Sequence, residues 1–259
     1  MTPDVHVQVD GPILIVTLDR PKANAINAAT SKALHDAVSL LRTDDSLRVG
    51  IVTAAGDRFF SAGWDLKSAH DGEAHDADHG PGGFAGITEL FDVGKPIIAA
   101  VNGSAYGGGV ELMLAADLIV AAETAVFAFP EAKLGILPDA GGVIRLPAIV
   151  PRPLAVELLL TGRTFTATEA MTWGMINHVV PTGQVLQVAK ELAAAICAAA
   201  PLAVSAILDI INRTAALDTR TAFNVSRQLP AVVRVSGSGD SVEGAKAYAE
   251  QRSPRWQGR

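Results

Sequence analysis

Two glutamates and two glycine-bearing turns carry the chemistry this sequence could perform. Glu111 follows Gly107-Gly108-Gly109, after the apolar run Ile97 to Val101 and before Leu112 to Ala115. Glycines at a strand-to-helix turn leave peptide N–H groups bare at a helix N-terminus, where they can approach a ligand oxygen and stabilise developing negative charge. A purely structural tight turn explains the same three glycines. The run lacks the spacing of a nucleotide P-loop and the acidic placement of a dinucleotide site. A second donor turn is Phe59-Phe60-Ser61-Ala62-Gly63-Trp64-Asp65-Leu66, again at the end of a short strand. Two backbone donors converging from separate loops are what an oxyanion hole requires.

Glu111 lies in an otherwise apolar helix, and Glu131 follows Phe129-Pro130 between apolar neighbours. A first-turn helix position accounts for the one and a surface place after a proline for the other. Burial would change both, because a desolvated carboxyl holds its proton more tightly and can exchange it near neutral pH.

The chain that must position these groups has 259 residues, 49% of them hydrophobic, with 21 Lys and Arg against 27 Asp and Glu, a net charge of −6. Such a composition folds around a large core without metal or disulfide. Its mild acidity argues against nucleic acid, whose binders carry concentrated basic patches. Cys197 is the single cysteine, which excludes an intrachain disulfide and Cys-based zinc sites. The opening MTPDVHVQVD has no leader-like pattern, and the longest apolar runs are interrupted by Glu123, Pro130 or Pro201. A soluble cytoplasmic protein with no membrane contact is expected.

Val5 to Val9 and Ile13 to Leu18, flanking Gly11-Pro12, read as a hairpin. Thr30 or Ser31 is placed to cap a helix running to about Arg42, with Ala33, Leu34, Ala37, Val38 and Leu41 on one face. Arg48 to Thr53, Ile97 to Val101 and Leu118 to Ala122 suit strands buried on both faces. Beyond about residue 150 helical periodicity dominates, in segments near 184–200, 202–214 and 239–250. Residues 68–86, rich in acids, histidines and glycines, read as a mobile surface loop. His70, His75 and His79 within it match no rigid ligand spacing, so a solvated loop is preferred over a metal site.

Six blocks in order make the chain similar to the crotonase (enoyl-CoA hydratase/isomerase) superfamily over essentially its whole length. They are LDRPKANAIN (18–27), FFSAGWDLK (59–67), KPIIAAVNGSAYGGGVEL (95–112), FPEAKLGILPDAGG (129–142), TGRTFTATEAMTWGMINHVV (161–180) and EGAKAYAEQRSPRWQGR (243–259). Within it, SAGWDLK and the loop containing GPGGFAGITEL most resemble the carnitinyl-CoA dehydratase branch. The resemblance implies an α/β crotonase fold, with a core of stacked β-β-α turns over residues 1–195. Residues 196–259 would form a helical region for oligomerisation and active-site cover, in a homotrimer or a hexamer of paired trimers.

By the same resemblance the activity is hydration or dehydration of a short-chain acyl-CoA, with carnitinyl-CoA and crotonobetainyl-CoA as the expected pair. A generic enoyl-CoA hydratase or isomerase is the alternative. The CoA thioester is the substrate, and neither cofactor nor metal is implied. The amides of Trp64 and Gly108 would hold the thioester oxygen, Glu111 would activate water and Glu131 would move the α-carbon proton. Ala23, Ala62, Asp65 and Leu66 match CoA-contacting positions. Lys22 is either a phosphate partner or an exposed turn residue. A quaternary ammonium would meet the aromatic faces of Trp64, Phe84 and Tyr106. Asp71, Glu73, Asp76 and Asp78 would supply a negative field; core aromatics and a merely soluble loop explain the same residues.

Overall fold

The computed structural model describes residues 4–74 and 76–259. The N-terminal hairpin pairs β1 (Val5–Asp10) with β2 (Ile13–Leu18) across Gly11, whose positive φ of 56° suits a residue without Cβ. Three further strands continue parallel to β2: β3 (Val49–Ala54), then β5 (Ile97–Val101) and β7 (Leu118–Ala122). Every residue of β3 and β5 is buried, as continuous apolar runs require in a sheet covered on both faces. With β10 (His178–Val180) these strands form, over the described residues, a six-stranded sheet in the order β1-β2-β3-β5-β7-β10.

A smaller sheet takes the alternate strands β4 (Phe59–Ser61), β6 (Ser104–Tyr106), β8 (Val126–Ala128) and β9 (Phe165–Thr166). Chain order explains the architecture. Each of β3, β5 and β7 is followed by a short strand of the second sheet and then by a helix. Thus β3 and β4 lead to α2 (Leu66–His70), β5 and β6 to α3 (Gly108–Leu114), and β7 and β8 to α4 (Glu131–Leu134). Stacked β-β-α turns of this kind bring successive helix N-termini to one side, and both sequence-marked glutamates lie on such helices.

Helix α1 (Ala28–Thr43) forms where its apolar spacing predicts, but its cap is Asn27, whose Oδ1 accepts from the Thr30 amide. Thr30 and Ser31, expected as caps, are buried inside the first turns. The helical stretch after residue 140 comprises α5 (Gly142–Ile149), α6 (Arg152–Thr161) and α7 (Ala167–Thr172). It continues through α8 (Val185–Cys197), α9 (Pro201–Thr214), α10 (Thr219–Ser226), α11 (Pro230–Ser236) and α12 (Gly239–Ala249). α8 buries Val185, Ala189 and Ala193 at four-residue steps, one face of a helix. By contrast, Ile207, Ile211, Phe223 and Val233 on α9 to α11 are more than half exposed. No single helix among the described residues is long and apolar enough to cross a membrane.

Residues 68–86 are not a free loop. Ser31 Oγ accepts from the Ala85 amide at 3.0 Å and bonds His79 Nδ1 at 2.8 Å. Lys32 pairs with Asp78 at 2.9 Å, and Glu73 accepts from the Ala28 amide. Arg145 donates to the Thr88 carbonyl at 2.6 Å from the other side. α1 therefore holds the described part of this segment, and α5 holds Thr88 just beyond it. Glycine content signalled mobility in the sequence, whereas the glycines serve close approach: a Cβ on Gly86 would overlap the backbone of Ser31 and His35. His75 lies outside the described residues. Among those described, no group of three or more potential ligands converges on a metal position.

Candidate active site

One cavity of about 360 Å³ is bordered by Trp64, Phe84, Gly108, Glu111 and Glu131, together with parts of the 76–83 segment and the 136–140 loop. The first donor turn is fixed by the block before α1. Asn24 donates to the carbonyls of Ala55 and Phe59, and Ser61 Oγ donates to the Asn24 carbonyl. The Ala62 amide donates to Ala23 and the Asp65 amide to Ile26, so the peptide between them is held while the Trp64 N–H has no acceptor among the described residues. Gly63, at φ 80°, lets this turn meet the next one, because a Cβ there would stand 2.8 Å from the Gly108 nitrogen. The Gly108 N–H, at the start of α3, likewise has no acceptor among the described residues. Two uncommitted amides from successive β-β-α turns thus sit side by side.

Both glutamates are buried, Glu111 at 3% exposed and Glu131 at 6%. Glu111 Oε1 accepts from the Gly142 amide at 2.7 Å, where α5 begins. Burial pushes its carboxyl up to about 8, the Gly142 bond pulling down and the charges of Glu131 and Asp139 adding to the rise. Glu131 is pushed up to about 7, again chiefly by burial. Its Oε1 lies against Gly107, where a Cβ would come within 2.6 Å, and its Oε2 has no hydrogen-bond partner among the described residues. Two carboxyls of this kind, titrating as a pair near neutrality, can both take and give a proton.

Raised carboxyl values also set how stability depends on pH. Glu111 holds its proton up to about pH 8 in the fold but only to about 4.5 in an unfolded chain. Its favourable contribution is therefore complete below about pH 4.5 and is lost as pH rises towards 8. Glu111→Gln keeps an acceptor for Gly142 and cannot ionise. The variant should gain on the order of 2–4 kcal/mol over the parent at pH 8 and almost nothing at pH 4.5. Denaturant melts at the two pH values measure this, and a gap independent of pH would contradict it.

The other expected site residues fall into three places. Phe84 covers Gly108, whose hypothetical Cβ would overlap the ring, and His79 meets Phe84 edge-on at 5.2 Å. Tyr106 does not line the cavity: its ring packs on Phe59 at 6.3 Å. It shares a face of β6 with Ser104, opposite the buried Ala105, and period-two alternation turns it away. Lys22, Ala23, Ala62, Asp65 and Leu66 lie outside the cavity lining, along the two segments that build the first donor turn. Lys22 and Leu66 are exposed. The Asp65 carboxylate is already engaged, by Arg20 at 2.6 Å, Ser68 and the Lys67 amide. Those partners outweigh burial and hold its carboxyl below the usual range.

Of the four acids expected to supply a field, Asp76 and Asp78 border the cavity, while Asp71 and Glu73 do not. Glu73 instead accepts from the Trp64 indole at 3.4 Å, fixing that ring. Asp139 and Glu89, which sequence reasoning passed over, also border it. Asp139 stood inside a motif already marked, next to Gly141-Gly142, and its charge there was the available signal.

Comparison with known proteins gives a family-model match to Enoyl-CoA hydratase/isomerase over residues 8–259. A carnitinyl-CoA dehydratase of Salmonella typhi is 51% identical over 264 aligned positions, covering all of both chains. Among solved structures, an enoyl-CoA hydratase from Mycobacterium tuberculosis is 43% identical with a TM-score of 0.92, covering 99% of this chain and 100% of that one. A carnitinyl-CoA hydratase from Mycobacterium avium is 40% identical with a TM-score of 0.78, covering 99% of each.

Proposed function

The chain belongs to the enoyl-CoA hydratase/isomerase family, and from that premise we propose that it adds water to, and removes it from, an acyl-CoA, with crotonobetainyl-CoA and carnitinyl-CoA as the pair. Full-length identity to a carnitinyl-CoA dehydratase supports the acyl group. The observation that carries the chemistry is that two buried, high-pKa carboxyls and two uncommitted peptide N–H groups border one cavity.

The thioester oxygen accepts from the amides of Trp64 and Gly108. Withdrawing charge onto that oxygen gives the α-carbon enolate character and leaves the β-carbon open to water. The two carboxyls share one proton, and in the microstate with Glu131 protonated and Glu111 ionised, Glu111 takes a proton from the attacking water as that water's oxygen bonds to the β-carbon. Protonated Glu131 delivers its proton to the α-carbon. The pair holds one proton before and after, so only its position changes, and the reverse sequence expels water. CoA lies along the backbone of residues 23 and 62–66, with Lys22 free to meet a phosphate. No cofactor enters these steps.

A generic short-chain enoyl-CoA hydratase is the second reading, favoured by the backbone likeness to the M. tuberculosis enzyme. Purified protein incubated with crotonobetainyl-CoA and with crotonyl-CoA, followed by loss of the conjugated-thioester absorbance, separates them. The proposal expects higher kcat/KM on crotonobetainyl-CoA. The reverse order favours the second reading, and no loss with either substrate overturns both. The outward apolar side chains of α9 to α11 fit burial against further copies of the chain. Light scattering of the purified protein should accordingly give the mass of a trimer or hexamer, and a monomer mass would contradict this.

A further inference from the structure

We propose that Asp139, at the rim of the cavity between α4 and α5, is the counter-charge that selects a quaternary ammonium on the acyl group. This rests on the acyl-CoA reading above and adds the residue that reads the acyl end.

The sign of the cavity is the first ground. Its lining contains six carboxylates, those of Asp76, Asp78, Glu89, Glu111, Glu131 and Asp139, and no lysine or arginine among the described residues. Three of these are committed elsewhere. Asp78 is neutralised by Lys32, and Glu111 and Glu131 lie buried at the reacting end. Glu89 is bent against Gly83, where a Cβ would come within 2.8 Å of its Oε1, and lies in the field of Arg145. Asp76 and Asp139 are both exposed, with neither a salt bridge nor a side-chain hydrogen bond among the described residues, and of the two it is Asp139 whose charge raises the carboxyls of Glu111 and Glu131. Asp139 borders the same cavity as Glu111, Glu131 and His79.

The second ground is the kind of wall beside it. Trp64, held by Glu73, and Phe84, held over Gly108, give aromatic surface, and Ile136 and Leu137 give aliphatic surface. A trimethylammonium group neither donates nor accepts a hydrogen bond. It is recognised by aromatic and apolar contact with its methyl groups and by nearby negative charge. An unpaired carboxylate standing off from apolar walls meets that requirement, whereas a neutral acyl tail gains nothing from it. A third, independent sign that the cavity receives a polar ligand is Glu131, which borders it, is 94% buried, and has an Oε2 without a hydrogen-bond partner among the described residues. The glutamate pair holds one proton, so the Asp139 carboxylate faces one like charge in the empty site, and a cation nearby lowers that repulsion.

The test compares crotonobetainyl-CoA with its uncharged isostere 5,5-dimethylhex-2-enoyl-CoA, in which carbon replaces nitrogen. Each is measured as a substrate, or as an inhibitor of crotonyl-CoA hydration where it is not turned over. The parent protein should prefer the cation, and Asp139→Asn should cut that preference about tenfold, chiefly through KM or Ki. Asp139→Glu should restore most of it. Equal handling of the two probes by the parent overturns the inference even if hydration proceeds as proposed. So does Asp139→Asn if it slows both probes equally, for then Asp139 serves turnover or folding rather than charge selection. If crotonobetainyl-CoA binds but only crotonyl-CoA is hydrated, the preferred-substrate reading falls while the inhibition ratio still decides the role of Asp139.

Discussion

Glu131→Gln is expected to lower the hydration rate by about 10²–10⁴, the usual worth of a positioned general acid or base, while the fold and thioester binding persist. The amide is nearly isosteric and can keep its place beside Gly107, but it has no proton to exchange with the α-carbon. The carboxyl is buried and pushed up to about 7, so substitution also removes the cost of ionising it. The variant should melt no lower than the parent at pH 8. Loss of rate without loss of stability is the signature to seek, by turnover and thermal melts on one preparation. Turnover within a few-fold of the parent would remove Glu131 from the proton path.

Gly108→Val is the second large effect, and its cause is different. A side chain there overlaps the Phe84 ring, and any displacement of Phe84 disturbs its edge contact with His79 and the wall of the cavity. The same side chain intrudes where the thioester oxygen must meet the amide. Loss of one backbone donor costs about 10²–10³ in rate, and overpacking a close-packed contact adds roughly 1–3 kcal/mol of instability. Gly108→Ala should show a reduced form of both effects. Rate and thioester affinity that survived Gly108→Val in a folded protein would place the donor elsewhere.

The long central strands were legible because strands buried on both faces have to be continuous apolar runs, and Ile97–Val101 and Leu118–Ala122 are little else. The glycine-bearing turns at the ends of β4 and β6 were legible as turns, although glycines there serve a tight turn as readily as a donor, and only the fold brings the two side by side. What escaped was set by packing across the chain. Asn27 displaces Thr30 and Ser31 as the α1 cap, because those two side chains are drawn inward, Ser31 to serve the 76–85 segment. That segment looked mobile by composition, and only its partners on α1 reveal a wall. Tyr106 was misplaced because a three-residue strand gives too little alternation to tell its faces apart. Asp65 matched a ligand position in sequence, yet Arg20 from the preceding block claims its carboxylate. Asp139 stood as a charge inside the marked 129–142 block, but its place at the cavity comes only from the fold.

The central claim is that one oxygen of the bound thioester is held by two main-chain amides beside a pair of proton-exchanging carboxyls. It is tested most directly by isotope-edited infrared spectroscopy of a carbonyl-labelled enoyl-CoA bound to Glu131→Gln, where the substrate persists. The account predicts that the thioester carbonyl stretch moves to lower frequency on binding and returns towards its free value when Gly108→Val is added. A carbonyl frequency that is the same free and bound would contradict it.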